Sequence, residues 1–178
     1  MDQREVVVLS AVRTAIGKFG GGLKDVPAIV LAAKVVSESV QRSGTSPDSI
    51  GHVVIGNVIH TDGRDMYMSR VAAVRGGLPV NTPALTLNRL CGSGLQAILT
   101  ASDAIRLGHC DAAVAGGVEC MSRAPYWMPA LRWGARLNDA TAMDALVASI
   151  TDPFDNGHMG ITAENIAQRF SISRQAQD

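Results

Sequence analysis

One cysteine in this chain sits where sulfur chemistry is favoured. Residues 86–96 read Thr-Leu-Asn-Arg-Leu-Cys-Gly-Ser-Gly-Leu-Gln, and Cys91 falls between an apolar strand-like run and a helix-like run. The first N–H groups of a helix lack internal partners, and the positive end of its dipole favours a thiolate over a thiol. Cys91 is therefore a candidate nucleophile, with its own amide and the helix amides as donors for an oxyanion. Its other reading is a small packed hydrophobe, the usual fate of a free cysteine. Ser93 stands in Gly92-Ser93-Gly94, but a G-x-S-x-G elbow would need glycine at position 91, so a serine hydrolase is disfavoured. No histidine is close in sequence to act as base.

The other chemical residues form no second site. Cys110 and Cys120 are not spaced as C-x-x-C, and His52, His60, His109 and His158 are scattered, so no metal is expected. His60 reads as a solvated strand end. Glycine-rich residues 14–22 lack G-x-G-x-x-G spacing before a helix and read as a flexible connection.

The elements that must position Cys91 alternate between strand and helix. Residues 5–11 (Glu-Val-Val-Val-Leu-Ser-Ala) and 52–59 (His-Val-Val-Ile-Gly-Asn-Val-Ile) are continuous apolar runs, as in strands covered on both faces. Between them Ala28, Leu31, Ala32, Val35, Val36 and Val40 fall at helical spacing behind Pro27, and Gly44 closes the run. Ser46-Pro47-Asp48 is a turn, and 69–76 a short helix ended by Gly76-Gly77. Residues 84–90 form the strand that delivers Cys91. The next helix shows Leu95, Ile98, Leu99 and Ile105 on one face and stops at Gly108. Residues 111–118 are a small-residue strand. Its Gly116-Gly117 suits either close helix packing or the approach of a ligand. Periodicity then fails over 121–151, an elaborated loop region holding Trp127 and Trp133 as packing anchors. A short amphipathic helix with Ile166, Ala167 and Phe170 follows His158-Met159-Gly160, and Ser173 is a cap. The alternation predicts an α/β domain with a mostly parallel sheet and helices on both faces.

Composition agrees. The 178 residues are 47% hydrophobic and 18% charged, enough for a real core. Sixteen basic residues balance sixteen acidic ones, which gives no electrostatic case for nucleic acid or an anionic membrane. The start, Met-Asp-Gln-Arg-Glu, has no apolar signal core, and no run approaches a membrane span, so a reducing, cytoplasmic setting is expected.

The motifs, taken together, resemble the amino-terminal portion of the thiolases, the acetyl-CoA acetyltransferases and β-ketothiolases. The resemblance runs through Ser10-Ala11-Val12-Arg13-Thr14-Ala15-Ile16-Gly17, Gly56-Asn57-Val58 and Asn88-Arg89-Leu90-Cys91-Gly92-Ser93-Gly94-Leu95-Gln96-Ala97. It continues through Ala115-Gly116-Gly117-Val118-Glu119, Met121-Ser122-Arg123-Ala124-Pro125-Tyr126, His158-Met159-Gly160-Ile161-Thr162-Ala163-Glu164-Asn165 and Ser173-Arg174-Gln175-Ala176-Gln177-Asp178. Arg132-Trp133-Gly134-Ala135-Arg136 looks most like bacterial β-ketothiolases that also accept acyl groups longer than acetyl.

The resemblance implies a thiolase-like fold, with residues 1–120 as its amino-terminal domain and 121–178 as the beginning of a loop domain that covers coenzyme A, and it implies ping-pong acyl transfer. Cys91 matches the cysteine acylated by acyl-CoA, before Claisen condensation with acetyl-CoA or, in reverse, thiolysis of a 3-ketoacyl-CoA. The amide of Cys91 matches an oxyanion donor. His158 and Met159 match positions lining the pantetheine part of the coenzyme A pocket. No cofactor is implied beyond the thioester substrates, and a homo-dimer or tetramer is expected, with the strand before Cys91 near the dimer contact. Cys120 stands where the family commonly has serine and reads as a packed thiol. In the family a second half carries the Gly-His-Pro histidine, a water-ordering asparagine and a second cysteine, and none of those motifs occurs in these 178 residues. Condensation by this chain alone is therefore not expected. A non-catalytic thiolase-fold remnant or binding module is the alternative, and a ketoacyl-synthase-type enzyme is disfavoured by 88–97 and 122–125.

Overall fold

The computed structural model describes residues 4–154 and 157–178. Met1–Gln3, where the sequence shows no signal core, lie outside the described residues. The chain divides into two compact units, Met1–Ala124 and Pro125–Asp178.

The first unit is built on a parallel three-stranded sheet of β1 (His52–Gly56), β2 (Ala84–Leu87) and β3 (Ala113–Gly117), in the order β2-β1-β3. Successive side chains of a strand point to opposite faces. Accordingly Val53 and Ile55 of central β1 enter one core, and Val54 enters another. On the Val53 side lie α1 (Ala28–Ser43) and α2 (Met68–Arg75), through Ile29, Val36, Met68 and Ala72. On the Val54 side lies α3 (Ser93–Arg106), through Ala97 and Ala101. All three β1 side chains are 4% exposed or less, which is why the Val-Val-Ile run shows no polar alternation. Helix α1 ends as expected, at Gly44 with φ 69°. Ser69 of α2 stitches helix to sheet: its hydroxyl accepts the Ile55 N–H at 3.0 Å and donates to the Leu85 carbonyl at 2.6 Å.

Three expectations are corrected. Residues 5–11 form no strand, and Val7, Val8 and Leu9 are 63%, 81% and 62% exposed. A cavity of about 500 Å³ separates this segment from α1, β3 and α3, lined among others by Val12, Val35, Ile98 and Val114. The run is apolar enough for a strand covered on both faces, but the described residues supply it no paired strand, and its one hydrogen bond to α1 runs from the Ser10 hydroxyl to the Ser39 carbonyl. Of the predicted apolar face of α3, Leu95, Ile98 and Leu99 are 65%, 48% and 49% exposed, and the buried stripe is Ser93, Ala97 and Ala101. Small side chains let the helix axis come close to the sheet, so packing distance rather than hydrophobicity chose the face. Strands β1 and β2 also end three residues early, where the chain turns away to build the loops at their carboxyl ends.

Residues 121–151, of which 125–151 belong to the second unit, are more ordered than a loop. Tyr126–Trp127 (β4) pairs antiparallel with Met143–Asp144 (β5), and α4 (Ala145–Ser149) follows, capped by the Asp144 carboxylate. Trp133 is 82% exposed and Trp127 half exposed, so neither is the packing anchor expected of it. Helix α5 (Met159–Arg169) and the short α6 (Arg174–Gln177) complete the unit, and Ser173 caps α6 by accepting the Ala176 N–H at 3.2 Å. No helix among the described residues is long and apolar enough to cross a membrane.

Candidate active site

The carboxyl ends of β1, β2 and β3 lie side by side, the place where open α/β sheets assemble ligand sites. Cys91 stands four residues beyond β2 and two before α3, and it is exposed. The path between is a tight elbow. The Asn88 side-chain oxygen accepts the Leu90 N–H at 2.8 Å. Leu90 adopts φ 48°, a left-handed conformation costing a non-glycine residue about 1–3 kcal/mol. The Gly92 N–H then bonds the Arg89 carbonyl and the Ser93 N–H bonds the Leu90 carbonyl, so these bonds leave the Cys91 amide unused. Outside the turn, the Arg89 guanidinium hydrogen-bonds the Gln96 side chain.

Two glycines let the elbow sit directly on the sheet. A Cβ at Gly56, the last residue of β1, would lie 2.6 Å from Ser93 Cβ. One at Gly117, the last of β3, would lie 3.2 Å from the Gly94 Cα. Close packing therefore accounts for Gly117. Gly116 faces open space, with nothing within 4 Å of such a Cβ.

Glu119, just after β3, ties the neighbouring loop in place. Its carboxylate accepts the Val58 N–H at 2.9 Å, the Ile59 N–H at 3.2 Å and the Asn57 side-chain amide at 3.1 Å. The Asn57 N–H bonds the Leu87 carbonyl at 3.1 Å, which links the β1 loop to the strand that leads to Cys91. Sequence reading matched Glu119, Asn57 and Ser93 to motifs without giving them these roles. An asparagine inside the apolar run 52–59 and a serine two residues past the cysteine were the available signals.

Burial pushes the Glu119 carboxyl above its ordinary pKa, and the two backbone donors only partly oppose this. The folded protein therefore holds this proton at pH values where the unfolded chain has released it. The stability it contributes is full below the ordinary carboxyl range and declines as pH rises through the folded pKa. Urea titration is expected to show the stability of the wild type, relative to Glu119→Gln, falling as pH rises above the ordinary carboxyl range. A flat or rising difference would contradict this sign.

The other thiols are set apart. Cys120 is 8% exposed within the core. Burial and the neighbouring Asp111 push the Cys110 thiol up, away from thiolate. His158 and Met159 belong to the second unit. The His158 Nδ1 accepts the Gly160 N–H at 2.9 Å and so caps α5, and Met159, the first residue of that helix, is 40% exposed. His52, His60 and His109 take part in no such arrangement with Cys91 among the described hydrogen bonds. Nor does any group of three or more His, Cys, Asp or Glu among the described residues have the geometry to hold a metal ion.

The family model for the thiolase N-terminal domain matches residues 6–178. A β-ketothiolase, BktB, of Cupriavidus necator is 59% identical over 175 residues, covering 98% of this chain and 44% of the relative. An acetyl-CoA acetyltransferase of the same organism is 44% identical over the same length. Among solved structures, an acetyl-CoA acetyltransferase of Bacillus anthracis superposes with a TM-score of 0.90 at 39% identity, over 97% of this chain and 43% of that one. Human mitochondrial 3-ketoacyl-CoA thiolase, solved in complex with CoA, gives 0.89 at 38% identity, over 95% and 43%. The chain thus spans less than half the length of these relatives. An exposed cysteine on a strand-to-helix elbow, a parallel sheet with helices on both faces and a family match over nearly every residue together place this chain in the thiolase family, as its amino-terminal domain.

Proposed function

We propose that the chain supplies the acyl-accepting half of a thiolase that works on coenzyme A thioesters. The carrying observation is the exposed Cys91 on its elbow, with its amide left free by the turn. The Cys91 thiolate attacks the thioester carbonyl of an acyl-CoA. The carbonyl electrons move onto oxygen, where the Cys91 amide can donate to them. The tetrahedral intermediate collapses, the bond from the acyl carbon to the coenzyme A sulfur breaks, and the departing thiolate takes up a proton. The acyl group then passes to the α-carbon of acetyl-CoA in a Claisen condensation, or the sequence runs backwards as thiolysis.

His158 and Met159 are proposed to line the pantetheine path. The relative solved with CoA supports that substrate class. Abstracting the α-proton needs a positioned base, and the described hydrogen bonds give Cys91 no histidine partner, so the chain alone is expected to stop at the acyl-enzyme. A homo-oligomer in a reducing cytoplasm suits a reactive thiol, and nothing besides the thioesters is proposed as cofactor. The test is incubation with acetyl-CoA followed by peptide mass spectrometry. One acetyl group on Cys91 is expected; a folded protein with an intact, unacetylated Cys91 would count against the reading.

A further inference from the structure

We propose that Ser93 is a positioning residue that aims the Cys91 amide. The inference rests on the reading of Cys91 as acyl acceptor. Ser93 is 5% exposed, with its hydroxyl inside the elbow. That hydroxyl accepts the Arg89 N–H at 2.8 Å and donates to the Leu90 carbonyl at 2.6 Å. The Ser93 backbone N–H bonds the same carbonyl at 3.0 Å. The Leu90 oxygen is therefore gripped twice from the first residue of α3.

That carbonyl belongs to the peptide unit whose other end is the Cys91 N–H. In a planar trans peptide, C=O and N–H point in opposite directions. No peptide among the described residues is cis. Drawing the Leu90 oxygen toward Ser93 therefore turns the Cys91 N–H away from the helix start, where the turn offers it no acceptor. Leu90 sits at φ 48°, a conformation that relaxes once its restraints are loosened. The Ser93 side chain in turn is fixed from below, since Gly56 leaves just enough room for its Cβ. The chain of cause runs from β1 through Gly56 and Ser93 to the Leu90–Cys91 peptide. Ser93 touches no reacting atom in this arrangement.

The role predicts a split between two reactions of one sulfur. Alkylation by iodoacetamide displaces iodide and builds no oxyanion. Acylation by 4-nitrophenyl acetate passes through one, and it needs no coenzyme A. In Ser93→Ala, acetylation of Cys91 by the ester is expected to fall about tenfold or more, with alkylation at Cys91 within about threefold of wild type. Both rates are read on the Cys91 peptide by mass spectrometry. Equal losses in both rates would make Ser93 merely structural, and no loss in either would remove its role; each result overturns the proposal. Wild type acetylated by the ester but not by acetyl-CoA would instead sink the coenzyme A reading and leave Ser93 tested. A wild-type Cys91 that is alkylated but never acetylated by the ester overturns the proposal too.

Discussion

Cys91→Ala is expected to take up no acetyl group from acetyl-CoA, a fall on the order of a thousandfold or more against wild type. The argument is one of access and ionisation among three thiols. Cys91 is exposed, Cys110 is partly buried and Cys120 is buried. Burial and Asp111 hold Cys110 toward the neutral thiol, which is the poorer nucleophile. Cys120 lies in the core with Val36 and Met68, out of reach of a bulky thioester. Removing the Cys91 sulfur should leave the fold intact, because the elbow is held by Asn88 and Ser93 and not by the sulfur. Acetyl-peptide mass spectrometry with a thermal melt decides the matter. An adduct that persists in the variant, or moves to Cys110, would refute the assignment.

The second large effect is on stability. Gly56→Ala should destabilise the protein by about 3 kcal/mol or more, at or beyond the usual range for overpacking. The added Cβ would come within 2.6 Å of Ser93 Cβ, 2.7 Å of its carbonyl carbon and 2.9 Å of its oxygen. Two of those atoms are backbone, so no rotamer change relieves the clash, and the start of α3 must lift from the sheet. A melting temperature lower by about 6 °C or more is expected, together with slower acetylation of Cys91. Gly116→Ala is the matched control. It lies on the adjacent strand, opposite Ile55 in register, and meets nothing within 4 Å. Its stability should stay within about 0.5 kcal/mol of wild type. Equal melting temperatures for the two variants would show that the contact between sheet and elbow is not what fixes Gly56.

The same contact shows how the fold and the site are coupled. Helix α3 could present either a leucine-isoleucine face or an alanine-serine stripe to the sheet. The stripe wins because Gly56 and Gly117 clear the ground beneath Ser93 and Gly94. At that same end the Ser93 hydroxyl reaches the Leu90 carbonyl three residues back. The larger apolar side chains are turned outward as a consequence, and Leu95 is 65% exposed.

The residues by themselves determined a good deal. The Val-Val-Ile run of β1, the spacing and glycine stop of α1, and the α/β alternation follow from hydrophobic period and turn chemistry, which are local properties of the chain. The place of Cys91 between strand and helix was also legible, because such a junction is a local pattern of the chain. Tertiary structure decided what local pattern cannot carry. An apolar run signals that burial suits it but not that a neighbour exists, so residues 5–11 read as a strand and lie exposed. Periodicity counts apolar residues, whereas packing is governed by how closely two backbones can approach, so the apolar period of α3 does not mark its buried face. The direction of the Cys91 amide, set by the Ser93 hydroxyl from the first residue of the helix, is a matter of three-dimensional hydrogen-bond geometry that no spacing of residue types expresses.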